Sequence, residues 1–193
     1  MSNLSLSQIH WLEGSLKARE DGSDRRIFTL QELDEYAHKA LVPILWCIND
    51  VISKEKCIEK EHLLDHLGKA QMMLRRLKGL AKALGSANPL AEQFVPVNLL
   101  GKCGLNGPKM IESLKTGETE KLTDAVHEMA SHAHSHVSMI YSPRDTFMKL
   151  SKYSCERYLM TLERKGFSLL HPKVQRIGSR RDGLLPLKLF FHK

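Results

Sequence analysis

The stretch DHLGKAQMMLRRLKGL, residues 65–80, lies in the run of sequence that decides the fold. Leucine and alanine recur at every third or fourth position from residue 63 to residue 81, a spacing that places them on one face of an α-helix. These positions are Leu63, Leu67, Ala70, Leu74, Leu77 and Ala81. Gly85, Asn88 and Pro89 then supply the residue types that end helices. We therefore predict a long core helix with a basic, solvated edge.

A second helical pattern precedes this one, over residues 30–51. Thr29 is a suitable N-cap, and Glu32 follows it by three residues, as in a capping box. Apolar residues then recur at helical spacing as far as Ile48. Because proline lacks an N–H group and clashes with the preceding turn, Pro43 is predicted to kink this helix or to begin a new one.

The second half of the chain carries shorter helical patterns. Residues 94–108 predict a loop with at most a short helix. A brief helical piece at 111–114 and clearer helices at 123–141 and 154–165 follow. From residue 171 to 193 we predict an irregular tail, first basic and then apolar. No alternating strand pattern competes anywhere, so the predicted class is all-α.

Length and composition predict a single domain, residues 1–193. With 193 residues, 42% of them hydrophobic, the chain is long enough to bury a core. Its net charge of +7 is unevenly placed: residues 1–65 hold 12 Asp and Glu against 8 Lys and Arg, and the remainder holds 10 against 21. Such asymmetry suggests an acidic protein, a nucleic acid or an anionic membrane surface as a partner.

Other classes of protein are not signalled. The four cysteines are widely spaced and form no Cys-x-x-Cys pair, which argues against a zinc ribbon or a disulfide framework. No apolar run approaches the roughly 20 residues that span a bilayer. The first residues are typical of neither a secretory signal nor a transit peptide.

Histidines on the predicted 123–141 helix raise the question of a metal site. His132 and His136 stand four residues apart, so both side chains could face one ion. His134 points elsewhere on a helix, and only Glu128 offers a nearby carboxylate. Exposed or half-buried helical histidines are the favoured interpretation, so we predict no metal site and no cofactor.

Catalytic motifs are not found either. His62 and His66 repeat the four-residue spacing around Asp65, but the segment HLLDH lacks the glutamate that a His-Glu-x-x-His hydrolase uses as a base. A glycine-rich phosphate loop and a Gly-x-Ser-x-Gly nucleophile turn are absent from the sequence. We therefore predict no catalytic residue.

Basic residues on the predicted core helix and in the tail form a candidate partner surface. Nucleic acid is one ligand that such a surface attracts. However, aromatic residues make up only 6% of the chain, and no nucleic-acid-binding signature is present, so a solvated basic face is the favoured interpretation. The members of this surface are Lys69, Arg75, Arg76, Lys78, Lys82, Arg176, Arg180 and Arg181.

The order of the segments is more informative than any single motif. The most specific pieces are YA at residues 36–37, LGKAQ at 67–71, GF at 166–167, HP at 171–172 and LLPL at 184–187. In this order they resemble the squalene/phytoene synthase superfamily. The chain is most similar to a mitochondrial offshoot of that superfamily, the phytoene-synthase-like assembly factors of respiratory complex I, and the resemblance covers nearly its whole length.

The resemblance implies part of an isoprenoid-synthase-type helical bundle, lacking the family's N-terminal helices. True synthases hold Mg²⁺ against a prenyl diphosphate with two aspartate-rich motifs. The second motif corresponds to residues 77–83, where Gly79 and Ala83 replace the two aspartates, and the first would lie upstream of this chain. The resemblance therefore implies a pseudoenzyme. By the same correspondence Gly68 and Gln71, with Gly79 and Ala83, are candidate cavity-lining residues.

The function that the resemblance implies is binding rather than catalysis. We expect a peripheral protein on the matrix side of the mitochondrial inner membrane that assists complex I assembly through protein partners, without a small-molecule substrate. Absence of the N-terminal helices would expose apolar surface and so imply a partner. Two alternatives stay open: an RNA-contacting component of a mitochondrial ribonucleoprotein, and a residual prenyl-diphosphate transferase.

Overall fold

The computed structural model describes residues 5–22, 26–52, 58–141 and 146–177, and these residues form helices joined by short connections. A 3-10 helix, Pro89–Phe94, follows the longest helix. No strand is found in the described ranges, which confirms the predicted all-α class. The helices are α1 (Leu6–Gly22), α2 (Leu30–Ala40), α3 (Val42–Ile52), α4 (Ile58–Gly85), α5 (Val97–Cys103), α6 (Gly107–Thr116), α7 (Glu120–Ser138), α8 (Thr146–Arg164) and α9 (Pro172–Ile177).

α4 is the central element of the fold. It packs against α2, α3, the 3-10 helix, α7 and α8. Each side chain of the predicted apolar stripe is at most 9% exposed, which confirms the stripe as core. Burial extends around the helix, because Leu64, Met73 and Leu80 lie outside the stripe and are also enclosed. A helix that is apolar on most of its sides belongs inside a domain rather than at its surface.

α2 ends and α3 begins at the point where the sequence predicts a kink or a new helix. We call this interruption of the helix the break after α2. The Thr29 hydroxyl accepts a hydrogen bond from the Glu32 N–H (3.0 Å), and the Glu32 carboxylate accepts one from the Phe28 N–H (2.8 Å). The second bond of the predicted capping box is thus shifted by one residue. Pro43 lies in the first turn of α3, where the missing N–H group has no helical partner to lose. It therefore begins a new helix.

α1 is not predicted by the sequence, because its apolar residues do not follow one face. Polar bonds attach it to the break after α2. The Ile44 N–H donates to the Leu41 carbonyl (3.1 Å), which leaves the Ala40 carbonyl without its usual helical partner. The buried Ser15 hydroxyl (2.7 Å) and the Arg19 guanidinium (3.1 Å) donate to that carbonyl instead. The break after α2 thus helps to position α1.

Helices in the second half follow the predicted order. α6 and α8 are longer than predicted, whereas α7 has the predicted length and begins three residues earlier than predicted. α6 begins at Gly107, because the Asn106 side chain caps it by accepting a hydrogen bond from the Lys109 N–H (2.9 Å). α8 begins at Thr146, two turns before the predicted start at residue 154. Described helices also show no span that is both long and apolar enough to cross a membrane.

α9 corrects the prediction that the tail is irregular from residue 171. Pro172 occupies the first position of this helix, where its fixed φ angle favours helix formation. Val174 is 1% exposed, and α9 packs against α8. The sequence does not predict this helix, because one buried valine in six residues makes no helical periodicity. Residues 178–193 lie outside the described residues.

Two glycines of α4 allow neighbouring elements to approach closely. A Cβ atom at Gly68 would lie 2.5 Å from Cγ2 of Val42 in α3, and a Cβ atom at Gly79 would lie 2.3 Å from the ring of Phe94. Both separations are well inside van der Waals contact. α3 and the 3-10 helix therefore reach their positions on α4 because these two residues have no side chain.

We expect Gly79→Ala to lower the free energy of unfolding by about 1–3 kcal/mol, the usual cost of overpacking, although alanine is the better helix former. Gly85→Ala is the matched control, since a Cβ there would meet only Leu170, at 3.9 Å. The control should be as stable as the parent, or more stable by up to about 1 kcal/mol. Urea unfolding monitored by circular dichroism measures both. Equal stability of the two variants would contradict the close Phe94 contact.

Candidate functional site

Histidines from α4 and α7 lie together with an aspartate from α2. The Oδ2 atom of Asp34 in α2 lies 2.9 Å from Nε2 of His132 and 3.0 Å from Nε2 of His136, both in α7. Nδ1 of His136 lies 2.8 Å from Nδ1 of His66 in α4. We call these four residues the His–Asp cluster. Its members come from distant parts of the sequence, so the cluster forms only when the chain folds.

Helix periodicity explains why α7 contributes two of its histidines. His132 and His136 lie one turn apart, so their side chains project from the same side of α7. Ala133 and Val137, the next residue in each case, are buried. The two histidines therefore border the apolar face of α7 and are held at the edge of its packing contact with α4.

Asp34, the carboxylate that meets these histidines, is not predicted from the sequence. Asp34 lies three residues before the fully buried Ala37, so it occupies a core-facing position of α2. That position is a signal of a buried polar partner, but 98 residues separate Asp34 from His132, and no local pattern spans that distance. Glu128, the carboxylate considered from the sequence, instead forms an ion pair with Lys102 (2.7 Å).

The charge of Asp34 is stabilised inside the cluster. Burial alone would raise the pKa of its carboxyl group, but hydrogen bonds from His132 and His136, with their positive charge, outweigh burial and lower the pKa well below its usual range. Oδ2 takes both of these bonds. Oδ1 is buried and has no hydrogen-bond partner in the described residues. An unpaired buried acceptor costs about 1–3 kcal/mol. A cation or a hydrogen-bond donor bound at Oδ1 would remove this cost.

The surroundings of His66 favour its neutral form. Burial, followed by the charges of His136 and His62, lowers the pKa of His66. A neutral imidazole has one N–H group and one acceptor nitrogen. The short contact between the Nδ1 atoms of His66 and His136 therefore requires that one ring donates and the other accepts.

A second polar cluster links α2 to α4. The Asp65 carboxylate lies 2.6 Å from the Lys69 ammonium and 2.7 Å from Nδ1 of His38. Burial would raise the pKa of Asp65, but Lys69 and then His38 outweigh it and lower the pKa. Lys69, predicted as part of the partner surface, is thus held in an internal ion pair.

The other predicted basic residues lie along α4 and on α9. Arg76 is half-buried and donates a hydrogen bond to the Gln93 carbonyl (2.8 Å), so it joins α4 to the 3-10 helix. Arg180 and Arg181 lie outside the described residues. The exposed members are Arg75, Lys78, Lys82 and Arg176.

Two surface grooves with basic walls meet at Lys78. One, of about 260 Å³, is lined in part by Gln71 and Arg75. The other, of about 340 Å³, is lined in part by Lys82 and Tyr158. The Lys78 ammonium lies 5.0 Å from the centroid of the Tyr158 ring, in a cation–π contact. Gln71 is therefore the one candidate cavity-lining residue that the described structure places on such a groove.

The remaining three candidate lining residues face packed side chains in the described residues. Gly68 and Gly79 face Val42 and Phe94, as described above. Ala83 is 5% exposed. None of these three residues has a side-chain oxygen, nitrogen or sulfur atom, so none offers a side-chain metal ligand.

An apolar surface is exposed on α1 and α3. Large apolar side chains normally lie inside a folded protein, so a group of them in solvent is informative. Leu6 and Leu16 in α1 are 86% and 58% exposed. We call the whole set the α1–α3 surface, and its members are Leu6, Ile9, Leu16, Ile48 and Val51.

An aromatic groove of about 530 Å³ lies between α1 and the α2–α3 pair. Its walls include Trp11, Tyr36 and Trp46. The two tryptophan rings make an edge-to-face contact with centroids 5.6 Å apart. Aromatic side chains are enriched at protein interfaces, so this groove is a second feature of α1 suited to a protein partner.

Comparison with known proteins gives a consistent set of relatives. No family model matches the chain, and no solved structure matches it. A mouse protein is 27% identical over 187 residues, which are 93% of this chain and 53% of the relative, and a cattle protein is 28% identical with the same coverage. A Dictyostelium discoideum protein is 28% identical over 193 residues, covering 95% of this chain and 51% of the relative.

The names of these relatives bear on the resemblance. The mammalian proteins are named NADH dehydrogenase (ubiquinone) complex I, assembly factor 6, and the Dictyostelium protein is named as a homolog of that factor. The predicted resemblance to complex I assembly factors is thereby confirmed. The wider relationship to squalene/phytoene synthases stays a prediction. The chain spans about half the length of the curated relatives that it matches.

We expect Asp65→Asn to lower the free energy of unfolding at pH 7 by about 1–2 kcal/mol, because Lys69 and His38 lose a charged acceptor. The native pKa of Asp65 lies below the ordinary aspartate value of 3.8. Its stabilising effect is therefore complete at neutral pH and is lost as the pH falls below 3.8. Urea unfolding at pH 7, 5 and 3 measures the difference. Glu61→Gln, which removes an exposed carboxylate from the same helix, is the matched control and should be as stable as the parent at pH 7.

Proposed function

We propose that this chain acts in mitochondria as a non-catalytic binding protein in the assembly of respiratory complex I. The observation that carries this function is the alignment of 93% of the chain with relatives named for that role. Because the chain spans about half of each relative, the role of the whole relative is part of the proposal. Its partners would be complex I subunits or assembly intermediates.

The α1–α3 surface supports a binding role. It presents five large apolar side chains, between 37% and 86% exposed, on two adjacent helices. Exposed apolar groups on a soluble domain commonly mark a protein contact. The aromatic groove beside α1 adds rings of the kind that dominate binding energy at protein interfaces. We therefore assign the first contact with a complex I component to this side of the molecule.

The packing of α4 supports a role without synthase chemistry. A Mg²⁺-dependent prenyl transferase needs carboxylates that face a diphosphate. Gly79 and Ala83, at the positions that the resemblance gives to those carboxylates, contact packed side chains and carry no ligand atom. We include neither a small-molecule substrate nor a residual transferase activity.

We place the protein on the matrix side of the mitochondrial inner membrane, as a peripheral component. The names of the relatives support the mitochondrial part of this location, and the family resemblance supports the finer placement. The exposed basic residues of α4 would meet an acidic patch of the partner. RNA and an anionic membrane surface are the competing ligands for the same charges.

Depletion of the protein is expected to reduce assembled complex I on native gels and to leave subassemblies. The parent chain should restore assembly in depleted cells, whereas Leu16→Glu should restore less and should capture complex I subunits at least about tenfold more weakly, because it places a charge in the apolar contact. Leu90→Glu is the matched control, since Leu90 is 54% exposed, close to Leu16 at 58%, and lies on the 3-10 helix. Normal complex I after depletion would refute the proposed function, and equal capture by both variants would refute the α1–α3 contact.

We expect Lys82→Glu to weaken capture of the same partner at low salt, with a smaller effect at high salt, because solvent screens exposed charges. Lys115→Glu is the control, since both lysines are exposed in the last turn of a helix and Lys115 lies on α6, away from the basic grooves. Capture and binding to RNA and to anionic vesicles are measured in parallel. If Lys82→Glu changes RNA or vesicle binding and leaves protein capture unchanged, the acidic protein patch is the wrong assignment.

A further inference from the structure

We propose that Asp34, His132 and His136 form a binding site for one divalent transition-metal ion, and that Zn²⁺ suits it best. His66 would orient His136 from behind. Two imidazole nitrogens and one carboxylate oxygen are a common zinc ligand set. The proposal goes beyond the proposed function and is independent of it, because it concerns an intrinsic property of the folded chain.

The spacing of the ligand atoms is close to that of a zinc site. Oδ2 of Asp34 lies 2.9 Å and 3.0 Å from the two Nε2 atoms, and the three ligand atoms all lie within 4.8 Å of one another. In a tetrahedral site with bonds of about 2.0–2.1 Å, ligand atoms stand roughly 3.3 Å apart. The two short separations would therefore open by only about 0.3–0.4 Å, which side-chain rotation can supply.

The hydrogen bonds of the cluster occupy the positions that metal bonds would take. Both imidazoles point Nε2 at a single carboxylate oxygen, which is the atom each would present to an ion. The second carboxylate oxygen, Oδ1, is buried and has no partner in the described residues. A bound cation would neutralise the carboxylate and could engage Oδ1 as well, so it would satisfy a group that the protein itself leaves unpaired.

His66 supplies the outer hydrogen bond that metal-binding histidines usually make. When His136 binds an ion through Nε2, its proton resides on Nδ1, and that N–H needs an acceptor. Nδ1 of His66 lies 2.8 Å away. A neutral imidazole has one acceptor nitrogen, so Nδ1 of His66 can accept this bond while its own proton resides on Nε2. The arrangement fixes both the ring orientation and the tautomer of His136.

The supporting elements are rigid and distant in sequence. His132 and His136 lie on the 19-residue helix α7, and Asp34 lies on α2 beside the buried Leu33. Both helices pack on α4. Ligands on packed helices are held more precisely than ligands on loops. An ion here would join α2 to α7 across about 100 residues of sequence, the separations being 98 and 102.

The fourth position of the ion would be open to water or to a ligand from a partner. Three protein ligands leave one tetrahedral position free. The His132 side chain is 27% exposed, whereas the Asp34 and His136 side chains are 17% and 12% exposed. Access is therefore from the His132 side, so the ion would be exchangeable.

The test uses the full chain without an affinity tag, since the chain has 10 histidines of its own. Zn²⁺ titration against a competing chelator should give one ion per chain. Asp34→Asn, which keeps the size of the side chain, and His136→Ala should each weaken binding by more than about 100-fold, beyond the 10- to 100-fold loss expected for His66→Ala. His134→Ala, an exposed histidine on the same helix, should bind as the parent does. Circular dichroism confirms that each variant is folded.

Co²⁺ substitution distinguishes this site from adventitious ones. The expected product shows the visible absorption of tetrahedral cobalt with nitrogen and oxygen ligands, and it shows no sulfur-to-cobalt charge-transfer band. That spectrum should be lost in Asp34→Asn and retained in His134→Ala. Equal Zn²⁺ affinity of folded Asp34→Asn and His134→Ala, a thiolate band from a cysteine, or no saturable binding by the parent would each overturn the proposal.

Discussion

The enclosure of α4 by the surrounding helices is the constraint on which the rest of the structure depends. α2, α3, the 3-10 helix, α7 and α8 all pack against it, so its side chains must be apolar, small or paired. Leucine and alanine meet the first requirement, and Gly68 and Gly79 meet the second where neighbours approach most closely. The half-buried Asp65 and His66 meet the third, because partners from α2 and α7 reach them. Asp65 and His66 are thus each paired with a polar residue on another helix.

This requirement separates the molecule into regions with different chemistry. Polar side chains meet where α2, α4 and α7 come together, at the His–Asp cluster. Five of the large apolar side chains exposed in the described residues lie on α1 and α3, and α1 is tied to the fold through the Ala40 carbonyl. A change in the α1–α3 surface should therefore leave the His–Asp cluster intact, since the two share no residue and lie on different helices.

The parts of the fold that the sequence predicts are those that local interactions determine. The spacing of the α4 stripe, the Thr29 cap and the start of α3 at Pro43 each depend on residues within one or two turns, and the sequence predicts each of them. α1 and α9 lack such patterns. Contacts with other helices position them, and those contacts cannot be read from local periodicity. In the candidate site, the His132–His136 pair is visible in the sequence, but Asp34 is not. Only the packing of α2 and α7 on the same helix brings it there.

The His–Asp cluster is not a displaced form of the metal site that the family resemblance assigns to true synthases. That resemblance places the lost carboxylates at Gly79 and Ala83, 13 or more residues beyond His66 on a continuous helix, which is about 20 Å at 1.5 Å per residue. The ring of Phe94 covers Gly79, so any larger side chain there would have to move that ring. The ligand types differ too, since carboxylates alone favour Mg²⁺ and imidazoles favour Zn²⁺. A metal ion between α2 and α7 would therefore be a property of this chain that depends on how its helices pack, and not on the chemistry that the family resemblance assigns to true synthases.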